Sequence, residues 1–187
     1  MLFALLKTEI LGEMMQAIPP EDMTVAVLRK GINLDRFNCG DDDLNSFLKS
    51  DAFIYEEKKI AKTYIVLYQN EPIGFFSICT DAIRLSREER FDEFGVEKPH
   101  ADYPAIKIAR LAVSKSHSDK GVGTYMVKQA VGKTIGLSEQ VGCRFVTVDA
   151  YPAAIRFYEG CGFVRNLAEK SGTNASMRLD LIDALRH

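Results

Sequence analysis

The chain has 187 residues, 47% hydrophobic and 27% charged, which describes one soluble domain with enough apolar chain for a proper core. A formal charge of -2 gives no global reason to expect a polyanionic partner and leaves only local basic patches for one. No stretch is apolar for long enough to span a bilayer, and Cys39, Cys79, Cys143 and Cys161 are scattered without a CxxC pair or a neighbouring His, so neither a zinc site nor a disulfide framework is suggested. They read as buried thiols of a reducing, cytoplasmic compartment.

Met1 to Asp22 stands apart as an amphipathic, Met-rich run ended by Pro19-Pro20, where a helix cannot continue. Lys7 and Glu9 interrupt its apolar start, so it does not read as a secretory leader. Residues 1–22 stand as an added helix or as a mis-called start ahead of Met14, Met15 or Met23, with the domain proper at 23–187.

From Met23 the pattern becomes regular. Thr24 to Arg29 alternates like a strand. Asp41-Asp42-Asp43 suits a helix N-terminus better than a metal site, because no further ligands cluster with it, and Leu44, Phe47 and Leu48 give the helical period. A second helical segment is predicted at about Ala52 to Ile60, then a β-hairpin of Thr63 to Tyr68 and Ile73 to Cys79 around Gln69-Asn70-Glu71-Pro72. Ser86 to His100, rich in charge and holding Phe91 and Phe94, reads as a short exposed helix within an insertion at about 84–103.

Ala105 to Val113 is the fourth strand. Gly121 to Gln140 follows as a helix whose apolar face is Val122, Met126, Val127, Ala130, Val131 and Ile135, and Arg144 to Val148 is the fifth strand. Pro152 opens another helix, which Gly160 and Gly162 close, and Ser176 to Ile182 alternates as a last strand. The fold class is α/β in the α+β sense.

Chemistry concentrates between Arg110 and Phe163. A strand ending at Val113 runs through a polar loop, Ser114 to Lys120, into a helix that begins Gly121, Val122, Gly123, Thr124. Such a helix start offers unpaired N–H groups and a positive dipole end to an anion, and glycines let a pyrophosphate approach the backbone. Lys120 adds a charge and Thr124 a hydroxyl. Alone, a Gly-x-Gly is more often a tight turn, and this one is neither a GxxxxGK[ST] loop nor a dinucleotide fingerprint. Tyr158 lies about two helical turns after Pro152, and by itself it reads as a core ring with a satisfied hydroxyl.

Together, Arg110-Leu111-Ala112-Val113, the Gly121-x-Gly123 turn, Phe145-Val146-Thr147-Val148 and Phe157-Tyr158-Glu159-x-x-Gly162-Phe163 resemble the GCN5-related N-acetyltransferase (GNAT) family. The resemblance is strong over 106–166. It implies a mixed, mostly antiparallel central sheet of six to seven strands flanked by helices and splayed between strands 4 and 5, with acetyl-CoA as co-substrate. Ser118 stands where the family usually has Arg or Gln, Asp119 and Lys120 follow, and Gly121 and Gly123 match. Leu111, Ala112 and Val113 would line the pantetheine arm, together with Ala154 and Phe157, while Tyr151 replaces a common Asn.

Tyr158 matches the tyrosine that in many relatives sits beside the thioester sulfur. A phenol, neutral at pH 7 with a reference pKa of about 10, can give a proton to the departing thiolate. A backbone N–H near Val113 would meet the oxyanion. No general base is legible, since Asp149, just before the Pro152 helix, reads more simply as a helix cap.

Three functions compete. The first is an acetyl-CoA-dependent N-acetyltransferase for a primary amine of a small molecule, peptide or protein, with a homodimer a mild expectation of the family. The second rests on Phe37-Asn38-Cys39-Gly40 before Leu44-Asn45-x-Phe47-Leu48, and on Tyr103-Pro104 before Arg110, which resemble acetyltransferase toxins of toxin–antitoxin pairs. That resemblance implies aminoacyl-tRNA as acceptor and an antitoxin as partner, although the acidic balance argues against a tRNA surface and Lys58, Lys59 and Lys62 form only one modest basic cluster. The third is a non-catalytic acyl-CoA-binding module, against which Tyr158 speaks.

Overall fold

The computed structural model describes residues 17–94, 102–168 and 173–186. Its strands are β1 (Met23–Val27), β2 (Lys62–Tyr68), β3 (Glu71–Arg84), β4 (Asp102–Val113), β5 (Phe145–Ala150), β6 (Val164–Arg165) and β7 (Ala175–Asp180). They form one seven-stranded sheet in the order β1-β2-β3-β4-β5-β7-β6. Every pairing is antiparallel except β4 with β5. The helices are α1 (Asp42–Ser46), α2 (Ala52–Glu57), α3 (Arg87–Phe94), α4 (Val122–Ser138), α5 (Ile155–Gly160) and α6 (Leu181–Ala184).

The two helical segments expected from Asp41 to Ile60 are joined by a π-helical stretch, Phe47–Asp51, in which the Ala52 N–H reaches back to the Phe47 carbonyl. Phe47, Leu48 and Ala52 all face inward along this stretch, each at most 2% exposed. Asp41 caps α1 as its sequence suggests, its carboxylate accepting from Leu44 N–H at 3.0 Å.

Two cores lie on opposite faces of the sheet. On the back, α4 packs Val122, Met126, Val127 and Ala130 against Ile78, Ile106, Ile108, Val146 and Val148. On the front, α1 and α2 cover Ile65, Phe75 and Ala112, with Phe37 edge-on to Phe75 at 5.7 Å. A smaller front core, Ile83, Leu85, Ala105 and Phe145, lies beside Phe94 of α3. The front face between the α1–α2 unit and α3 is a polar strip.

The β3–β4 hairpin is longer than alternation suggests, since it pairs out to Arg84 with Asp102. The insertion is therefore the tip of this hairpin, with residues 95–101 outside the described residues. Its helix is anchored rather than merely exposed. Ser86 and Glu89 form a reciprocal cap, and Glu89, 4% exposed, meets Arg178 of β7 at 2.7 Å. Of the run set apart at 1–22, Ile18 is 8% exposed in the back core and its N–H donates to Lys120 C=O at 3.0 Å, and Pro20–Asp22 is a 3-10 turn. Residues 1–16 lie outside the described residues.

The four cysteines are free and half-buried rather than buried. Among the described residues no helix is long and apolar enough to cross a membrane.

Candidate active site

The site begins where β4 and β5 part. They pair only at Ala105 with Phe145, Ile106 with Val146 and Lys107 with Thr147. Beyond Lys107 the β5-facing edge of β4 has no strand partner, while β5 runs on along β7 to Ala150. A bulge sharpens the divergence. The register of β3 on β4 slips between Ser77 and Ile78, leaving Ala109 as the extra residue. The slip reverses the side-chain phase, so that Ile106 and Ile108, then Leu111 and Val113, pack in the back core, whereas Ala112 packs in the front one. Of the three residues expected to line a pantetheine arm, Leu111 and Val113 face the fork and the Ala112 side chain turns away from it.

Two recesses of about 390 and 430 Å³ occupy the fork and adjoin at Leu111 and Phe157. The upper recess is framed by His117, Ser118, Asp119 and the start of α4. Gly121 is the N-cap, left-handed at φ 80°, and Asp119 is left-handed at φ 60°, so the backbone curls into a concave turn. The first i→i−4 bond of α4 is Tyr125 N–H to Gly121 C=O, which leaves the amides of Val122, Gly123 and Thr124 without helical partners. Thr124 also bonds the Cys161 thiol, and burial leaves that thiol above its ordinary value. Lys120 lies outside the recess lining, but with burial it lowers the His117 imidazole, keeping it neutral at pH 7.

The lower recess passes through the sheet. Its back wall is Ile108, Leu111, Val148, Ala154, Phe157 and Tyr158; at the front stand Arg110, Asp149, Asp41 and Asp43. Tyr158 is 6% exposed and packed edge-on between Phe157 and Phe163 at 5.0 and 5.5 Å. Burial, with Cys161 adding to it, pushes its phenol well above the ordinary value, so the hydroxyl keeps its proton throughout the neutral range. Tyr151, 54% exposed, stands at the rim. Arg110 lies over the Phe47 ring at 4.4 Å, a contact that holds its guanidinium at the cleft.

Asp149 does not cap the following helix, which has no side-chain cap. Its carboxylate instead meets Lys107 Nζ at 2.7 Å across the mouth of the fork. The sequence pattern offered no sign of this contact, nor of His117 as a lining residue; it is the β4–β5 register that brings Lys107 to Asp149.

The model of the acetyltransferase (GNAT) family matches residues 32–163, most of the chain and the whole of the cleft up to Phe163. The chain is 20% identical over 123 residues to a tRNA-acetylating toxin of Mycobacterium tuberculosis, covering 65% of this chain and 72% of that protein. Its fold is similar to that of AtaT complexed with acetyl-methionyl-tRNAfMet (TM-score 0.78, 23% identity, 89% of this chain and 100% of that one). It is also similar to AtaTR bound with AcCoA (TM-score 0.72, 23% identity, 89% and 99%). The family match and the forked sheet together establish that the chain belongs to the acetyltransferase (GNAT) family and is an acetyl-CoA-dependent N-acyltransferase.

Proposed function

We propose that the chain moves the acetyl group of acetyl-CoA to the α-amine of an aminoacyl-tRNA and is held in check by an antitoxin protein. The shape of the cleft carries this reading. A phenol at 6% exposure lies at the bottom of an opening whose rim tyrosine is 54% exposed, so the end of a large molecule can bring a primary amine to a dry thioester. Likeness to a tRNA-acetylating toxin and to the complex of AtaT with acetyl-methionyl-tRNAfMet supports it. With a net charge of -2, contact with phosphates falls to local cations such as Arg110 and Lys115, whose side chain lies over Gly40.

In this reading the concave turn of Ser118 to Thr124 takes the pyrophosphate, with the free amides of Val122, Gly123 and Thr124 as donors. Leu111, Val113, Ala154 and Phe157 line the arm, and the unpaired edge of β4 offers backbone groups to it and an N–H to the thioester oxygen. The amine nitrogen attacks the acetyl carbon, the C–S bond breaks, and Tyr158 gives its proton to the departing thiolate.

The second reading, a small amine or a peptide as acceptor, is favoured by Asp41 and Asp43 at the cleft, which suit a free cationic amine. Transfer of labelled acetyl from acetyl-CoA separates the two. In vitro charged tRNA is expected to take the label and uncharged tRNA not; labelling of a polyamine or peptide panel with none on charged tRNA would overturn the first reading.

A further inference from the structure

Four side chains of the polar strip form one unit that the chemistry above leaves unused. Lys107 of β4 contacts Asp149 of β5 at 2.7 Å and Asp81 of β3 at 3.8 Å, and Thr147 donates to Asp81 at 2.6 Å. One ammonium is thus shared by two carboxylates, and the unit carries one unbalanced negative charge. Burial works to lower the Lys107 ammonium, but the hydrogen bond and charge of Asp149, with the charge of Asp81, outweigh it and hold the lysine charged. Asp81 and Lys107 are about three-quarters covered, whereas the Asp149 side chain is 47% exposed and faces the cleft.

Position matters more than charge. Thr147 and Asp149 share the front face of β5, while Val148 and Ala150 point back into the core that holds Tyr158. Asp149 and Tyr158 therefore line one cleft from opposite faces of the sheet. A thioester threaded through the fork would have the phenol on its sulfur side and the carboxylate on the side from which a nucleophile enters. An amine arriving at neutral pH is largely an ammonium ion and must shed a proton before it can attack.

We infer that Asp149, braced by Lys107 and Asp81, is the docking site for the acceptor's ammonium group and takes its proton. The inference rests on the acetyl-transfer reading above and deepens it. The ammonium seats against the free side of the Asp149 carboxylate, one N–H proton passes to that carboxylate, and the freed lone pair forms the new C–N bond. As the C–S electron pair leaves with sulfur, Tyr158 protonates it; the second proton lost by nitrogen returns through water to Tyr158, and the proton on Asp149 leaves to solvent. Facing Asp149 are Lys107 from β4, Asp81 and Cys79 from β3, and Arg110, Asp41 and Asp43 across the cleft. Arg178 of β7, level with Thr147, is committed to Glu89 and Glu93.

The test is labelled acetyl transfer to in vitro charged tRNA by wild type, Asp149→Asn and Asp149→Glu from pH 6 to 9. Asp149→Asn is expected to lower kcat/KM for the acceptor by about 100-fold at pH 7, on the scale of one general base, with the KM for acetyl-CoA unchanged. The deficit shrinks as pH rises and the free amine becomes abundant, and Asp149→Glu recovers part of the rate. A variant within twofold of wild type at pH 7, a loss equal at every pH, or acetyl-CoA affinity falling in step would overturn the inference, the last two marking Asp149–Lys107 as a strap that only holds the fork. Wild type inactive on charged tRNA would instead refute the acceptor reading, and the same comparison would then be run on whichever amine takes the label.

Discussion

Gly123 packs edge to ring against Phe157: a Cβ built on the glycine would stand 3.2 Å from two carbons of the ring. Both residues line the upper recess, and Phe157 also closes the lower one. Alanine at this position pushes the ring by a few tenths of an ångström into the recess proposed for the pantetheine arm, without straining the backbone. Gly123→Ala is expected to weaken acetyl-CoA binding about tenfold, on the order of 1.4 kcal/mol, with the melting temperature of the free protein nearly unchanged. Calorimetric titration with acetyl-CoA measures it, and an unaltered affinity would move the cofactor out of this cleft.

Gly121 makes the opposite case. Nothing lies within 4 Å of an added Cβ, but its φ of 80° is left-handed, where an L side chain costs roughly 1–2 kcal/mol. Gly121→Ala is expected to lose about that much in urea unfolding, and Gly121→Asn less, because Asn tolerates this conformation. Equal losses in the two variants would mean that the cost arises from space rather than backbone angle.

These two glycines were legible in the sequence because their signal is local, a strand, a Gly-x-Gly and a helix within a few residues. Tyr158 was singled out only by the family resemblance, since its spacing from Pro152 alone read as a core ring. What escaped is carried by register or by distance along the chain. The bulge at Ala109 reverses the phase of β4, so that Leu111 and Val113 reach the fork and the Ala112 side chain turns into the front core, although the family resemblance put all three along the arm. Asp149 read as a cap because the helix opening at Pro152 is close in sequence, while its partner Lys107 is close only once β4 and β5 are aligned. The π-helical stretch from Phe47 has no signature of its own, since Leu44, Phe47, Leu48 and Ala52 keep the i, i+3, i+4, i+8 spacing of an ordinary helix face. Even the toxin-like Phe37-Asn38-Cys39-Gly40 run gains its reason only in three dimensions. The Asn38 side chain accepts from Gly40 N–H at 2.8 Å and from Asn45 at 3.1 Å, and its carbonyl accepts from Lys115 N–H at 2.9 Å, tying the start of α1 to the loop that leads into the upper recess.

Tyr158→Phe deletes one oxygen and keeps both ring contacts, with Phe157 and Phe163. Because burial holds the phenol protonated, the role proposed for it is that of an acid, and the variant is expected to lower kcat by 100-fold or more while leaving the KM for acetyl-CoA within about twofold. The upward shift also means that Tyr158 contributes no alkaline limb below its ordinary value near 10. Steady-state rates of CoA release in the two proteins check both statements, and equal kcat values would remove Tyr158 from the chemistry.

Glu89 and Arg178 are 89 residues apart in sequence and form the deepest ion pair described, with side chains 4% and 7% exposed. Leu167 and Ser86 N–H groups also donate to Glu89, at 2.8 and 2.7 Å, so one carboxylate joins α3, β7 and the chain after β6. Removing it strands a buried guanidinium with Glu93 and Asn166 as its remaining side-chain partners. Glu89→Ala is expected to cost about 3 kcal/mol, which for a domain of this size lowers Tm by roughly 6 to 12 °C. Burial opposes ionisation of Glu89, but the two backbone donors and Arg178 outweigh it and hold the carboxyl below its ordinary 4.5. Its folded value being depressed, the stabilisation is complete above the unfolded value and lost as pH falls through the folded one. Neighbouring Glu93 shifts the other way, raised by burial and by a hydrogen bond with Asp180, but it is present in both proteins. The gap in unfolding free energy between wild type and Glu89→Ala should therefore be constant from pH 7 to about 5 and close on acidification below about 4.5. A gap that persists undiminished at pH 3 would assign the loss to packing of α3 rather than to the charge of Glu89.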